Sequence, residues 1–75
     1  MRKKLENFSL KIGNIAIDKV SRNKRPFIEV VMQDNPDIRG IFKFDDCQFV
    51  GGNLPINEIP QILDKVKRNR KFLEV

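Results

Sequence analysis

The sequence predicts an α+β domain: a small antiparallel sheet of four to five strands with one C-terminal amphipathic helix packed on one face. Two observations carry this. From Phe8 to about Val50 the apolar residues alternate with period two and are punctuated by turn residues. From Asn57 the period changes to three and four, and it does so only once. Strands followed by a helix, rather than alternating with helices, make an antiparallel sheet covered by that helix. With 75 residues there is room for one domain, 1–75, with residues 1–6 expected to be a mobile basic N-terminus.

The first strand is Phe8 to Ile12, with Phe8, Leu10 and Ile12 on one face and Ser9 and Lys11 on the other. Gly13-Asn14 follows, with glycine first as a type II′ hairpin requires. Closing that hairpin pairs Ile12 with Ile15 and Leu10 with Ile17, a self-consistent register. The rival is one long strand bent by a glycine bulge. Residues 21–25 read as a polar basic loop, and Pro26 suits a strand start, where its missing N–H costs least. In Phe27 to Met32 both faces are largely apolar, which makes this strand central. Asp34-Asn35-Pro36-Asp37 is turn chemistry. Ile38, Gly40, Phe42 and Phe44 then alternate with Arg39, Ile41, Lys43 and Asp45. Asp45-Asp46 turns into a short strand from Cys47 to Val50, and Gly51-Gly52-Asn53 ends the sheet. Ile59, Ile62, Leu63, Val66 and Leu73 form the apolar stripe of a helix over 57–72. Asn57 is its expected N-cap, and Pro60 falls in the first turn, where no intrahelical N–H bond is lost.

Composition argues against most enzymology. There is no histidine, and only one cysteine, Cys47. Histidine is the commonest metal ligand and general base, so zinc and triad chemistries cannot be assembled within one subunit. No metal, no cofactor and no catalytic residue is expected. A single cysteine forms no intrachain disulfide, and Leu5-Glu6-Asn7 follows the basic start where a signal peptide would be apolar. A reducing cytoplasm is therefore the expected compartment, and no membrane association is expected. So small a domain has a thin core, which a homodimer or another partner would complete.

Fifteen basic residues face ten acidic ones, for a net charge of +5. The basic residues fall at Arg2-Lys3-Lys4, at Arg22, Lys24 and Arg25, and at Lys65, Lys67, Arg68, Arg70 and Lys71. The expected nucleic-acid-binding set is Arg22, Lys24, Arg25, Lys67, Arg68 and Lys71, forming one electropositive surface that contacts phosphates. The bland alternative is a solvated helix face and two exposed ends. Phe42-Lys43-Phe44 after Arg39-Gly40 has some look of an RNA-stacking strand, but Phe42 and Phe44 share a face and read better as core. The four aspartates of the two turns lack calcium-loop spacing, and Cys47 reads as a half-buried strand residue.

Gly52-Asn53-Leu54-Pro55, followed by an amphipathic helix, resembles the C-terminal half of a family of small uncharacterised bacterial domains. Those domains have a strand pair, a Gly-x-Leu-Pro turn and a final helix. They also carry a His-Pro-Pro-His-x-His segment, whose counterpart here is Lys24-Arg25-Pro26-Phe27-Ile28-Glu29. Phe27 and Glu29 stand where histidines would be, so no histidine-dependent role is implied and no functional residue carries over. Such genes often neighbour toxin–antitoxin pairs. The resemblance thus implies a protein-binding module, antitoxin-like or a phage-encoded regulator, as the alternative to a nucleic-acid binder.

Overall fold

The structure, a computed structural model, describes residues 5–74. Five strands form one antiparallel sheet in chain order: β1 Leu10–Ile12, β2 Ile15–Arg22, β3 Arg25–Met32, β4 Asn35–Lys43 and β5 Phe49–Gly52. One helix, α1, spans Ile59–Asn69. Each strand pairs with its neighbour in sequence, the arrangement expected when short turns join antiparallel strands. The α+β class is as the sequence predicts, and β3 is the central strand. Among the described residues no helix is long and apolar enough to cross a membrane.

The β1–β2 hairpin has the expected register, Leu10 opposite Ile17 and Ile12 opposite Ile15. Gly13 has φ +58°, while Asn14 is not in the left-handed region, the pattern of a type II′ turn. The continuous bulged strand is thereby excluded. Gln33 Nε2 donates to the carbonyls of Gly13 and Ile15, both at 3.0 Å, and locks this turn to the β3–β4 connection.

Several expectations need correction. Residues 21–25 are not a loop. β2 and β3 run through them, with Arg22 opposite Arg25, and only Asn23-Lys24 turn. Both turn residues have positive φ, 52° and 65°, as in a type I′ turn, whose twist matches that of the flanking strands. The β3–β4 turn falls at Gln33-Asp34, and Asn35-Pro36-Asp37 belong to β4, where the register slips between Val31 and Met32. Cys47 is not a strand residue. It sits buried in the β4–β5 turn at φ +59°, and β5 starts two residues later. The helix is shorter than 57–72: 3-10 turns at Ile56–Glu58 and Arg70–Leu73 flank it. Glu58 rather than Asn57 is the N-cap, without a side-chain capping bond, and Pro60 lies in the first turn as expected.

The core lies between the sheet and α1. Ile15, Ile17, Ile28, Val30 and Phe42 of the sheet are buried with Phe44, Ile62, Val66 and Leu73, and Ile59 and Leu63 pack against them. Phe42 meets Phe49 edge to face, with centroids 5.3 Å apart. Phe42 and Phe44 are thus core, as their shared face implies. Met32, Leu54 and Cys47 complete the cluster.

A smaller cluster, Phe8, Ala16 and Val31 with Leu5 against it, covers one end of the opposite face, so Phe8, expected beside Leu10 and Ile12, precedes β1 and packs on the other side of the sheet. Leu5–Asn7 form a 3-10 turn there, so Leu5 and Glu6 of the expected mobile N-terminus have defined structure. Arg2, Lys3 and Lys4 lie outside the described residues.

Gly52 closes β5 with φ +128°, and a Cβ there would fall 2.6 Å from Gly40 Cα. Gly52→Ala therefore adds backbone strain and a backbone clash. The expected cost is at least about 1–3 kcal/mol, measurable as a lower urea midpoint. An unchanged midpoint would mean that β5 does not close on β4 in this way.

Candidate nucleic-acid interface

Alternation along the strands divides the basic residues between two faces. Cα partners in an antiparallel pair share a face, and successive residues alternate. Ile28 and Val30 face α1, so Phe27 and Glu29 face away. Arg22 and Arg25, opposite each other, lie on that uncovered face, and so do Val20, Arg39, Ile41 and Lys43. Arg22, Lys24, Arg25 and Lys43 are all exposed. Phe27 is half-buried between its Cα partners Val20 and Lys43.

Two acids of this face, Asp18 and Glu29, are buried and engaged, while Asp37, two residues before Arg39 on β4, is exposed at its far end. Asp18 accepts from Ser9 Oγ and from the backbone N–H of Lys19 at 3.0 Å. Glu29 is only 8% exposed, and its Oε2 accepts from Arg39 Nη1 at 3.3 Å. Arg39 Nη2 donates to the Pro36 carbonyl at 3.0 Å. Its Nε is buried without an acceptor among the described residues. With Asp18 and Glu29 buried, the exposed Arg22, Lys24, Arg25 and Lys43 make the end of this face beside the β2–β3 turn positive.

Beside the pair, a groove of about 370 Å³ opens between β3, β4 and β5, walled by Phe27, Ile41 and Val50. Val50 is 53% exposed.

The helix residues of the expected set lie elsewhere. α1 covers the other face of the sheet, and Lys67 and Arg68 are exposed in its last turn. Arg68 is paired with Asp64 at 3.1 Å. Lys71 is exposed in the following 3-10 turn, its Nζ 5.3 Å from the centroid of Phe72. The six expected residues therefore do not share one face. Arg22 and Arg25 are on one side of the sheet, Lys67 and Arg68 on the other. The link between the two groups runs through Arg70, whose Nη1 donates to the carbonyls of Phe44 and Asp45. The N–H of Phe44 in turn donates to Pro26 O at 3.4 Å, next to Arg25. Arg70 is thus a structural strap rather than a free contact.

Lys24 has a conformation that favours glycine. At φ +65° a lysine costs about 1–2 kcal/mol more than glycine, and Asn-Gly is the usual dipeptide of this turn. Lys24→Gly is expected to raise stability by roughly 1 kcal/mol and to weaken nucleic-acid binding. Thermal unfolding and a binding titration read the two effects separately. A variant that is less stable would contradict the turn geometry.

Phe27, Arg39 and Lys43 were not in the expected site. The signal was available in Arg39, Ile41 and Lys43, which alternate against the core residues Gly40 and Phe42. Among the described residues no three histidine, cysteine, aspartate or glutamate side chains cluster as metal ligands would. Compared with family models, with curated proteins and with solved structures, the chain shows no significant match. What can be assigned is the class: a small α+β domain with a helix-covered face and a basic, partly apolar open face.

Proposed function

We propose that this protein is a non-enzymatic binding module that holds nucleic-acid phosphates against the open face of its sheet. The observation that carries the reading is the gathering of Arg22, Arg25 and Lys43 around Phe27 on the face that α1 leaves uncovered. Guanidinium and ammonium groups neutralise phosphates, and an aromatic ring among them offers a surface for a base. Lys24, at the tip of the β2–β3 turn, extends the same patch. Lys67, Arg68 and Lys71 add long-range attraction from the helix side, weakened at Arg68 by its pairing with Asp64.

The test separates the two sides. Arg22→Glu with Arg25→Glu should remove most binding to a labelled oligonucleotide, whereas Lys67→Glu with Arg68→Glu should reduce it only several-fold. Equal losses would return the helix to the interface.

A protein partner is the second reading. It rests on β5 as an edge strand of the sheet, on which Val50 is exposed. An added strand could pair with that edge, which fits the resemblance to toxin–antitoxin neighbours. Such binding would depend little on salt.

A further inference from the structure

The groove on the open face has the dimensions and chemistry of a small-ligand site. Its volume of about 370 Å³ lies at the low end of the roughly 300–1,000 Å³ typical of such sites. Phe27 and Ile41 supply apolar surface, and Gly51 leaves one side as bare backbone. The charged groups are Arg22 and the Glu29–Arg39 pair. Two guanidiniums against one carboxylate leave one positive charge, the complement of one phosphate. Glu29 and the Pro36 carbonyl hold Arg39 in place, whereas the Arg22 guanidinium has no hydrogen bond or ion pair among the described residues. A flat, apolar-faced ligand carrying one negative charge fits this arrangement.

We infer that the groove takes one unstacked nucleobase of a single strand, seated against Phe27 and Ile41, while Arg22 meets the adjoining phosphate. This rests on the phosphate-binding reading above and adds strand selectivity to it. A base within a duplex is stacked and paired on both sides and cannot enter such a groove without being extruded. Single strands are therefore bound in preference to duplex.

Gly51 provides a clean test. It lies opposite Ile41 on the open face, and a Cβ there meets nothing within 4 Å. Gly51→Leu adds an apolar side chain at the groove wall, with open space at its Cβ and no change of charge. The titration uses a short labelled single strand and the same strand made abasic throughout, both at low salt. Wild type is expected to bind the base-bearing strand about tenfold or more tightly than the abasic one, since stacking one base contributes that much. Gly51→Leu should remove the difference and leave abasic binding unchanged. If wild type binds both strands equally, or if Gly51→Leu keeps the preference, the base site is wrong while phosphate binding stands. If wild type binds neither strand, both readings fall. Should Gly51→Leu not fold, wild-type protein titrated with a nucleoside monophosphate decides by NMR. Shifts at the amides of Phe27, Ile41 and Gly51 support the site, and shifts elsewhere or none overturn it.

Discussion

Phe42→Ala is expected to destabilise the domain by about 3–5 kcal/mol. Phe42 is fully buried, lies opposite Ile28 across the β3–β4 ladder, and packs edge to face on Phe49. Truncation removes apolar burial from the centre of the only large core cluster among the described residues and leaves a cavity between sheet and helix. Small domains have roughly 5–15 kcal/mol in total, so the loss is a large fraction of the stability. Urea unfolding should show a much lower midpoint, or a chain already unfolded in buffer. Phe44→Ala should cost less within the same range, because Phe44 is slightly more exposed than Phe42. A Phe42→Ala protein as stable as wild type would mean that α1 does not pack on this face.

The second large effect concerns binding. Arg22→Glu with Arg25→Glu should weaken affinity for a single strand on the order of a hundredfold. On single strands each neutralised phosphate contributes a log–log salt slope of about −0.7, or roughly fivefold in affinity at 0.1 M salt. Losing two contacts accounts for about 25-fold, and two carboxylates facing the phosphates add repulsion. The loss should be similar for every sequence, because phosphate contacts carry no base information. The two residues are exposed and face each other next to the turn, so unfolding temperatures should stay near wild type. A variant that loses its fold along with its binding would mean that these side chains have structural partners.

Much of the sheet is legible in the residues themselves. Alternation from Leu10 to Ile17 around Gly13-Asn14 specifies both a turn type and a register, and a one-residue slip would expose every isoleucine of the hairpin. Phe42 and Phe44 are assigned to the core by parity alone. The β2–β3 turn is less legible, because Ser-Arg-Asn-Lys-Arg has the composition of a loop and lysine is an unusual residue for a left-handed turn. That misreading has consequences for the site. Without the two-residue turn, the faces of Arg22 and Arg25 cannot be related to those of Phe27 and Lys43. Cys47 leaves no signal either: a small apolar residue beside a turn looks like a strand start, and only the packed structure reveals it as a buried left-handed residue. The helix stripe is clear, but tightening into 3-10 turns at both ends follows from packing rather than from periodicity.

The most direct measurement is a salt titration of wild-type protein with a labelled single strand. Four contacts, from Arg22, Lys24, Arg25 and Lys43, should give a log–log slope of about −3. Affinity should then fall roughly 50-fold between 50 and 200 mM salt. No binding at low salt in a folded sample, or binding with a slope near zero, would contradict a phosphate-binding sheet face.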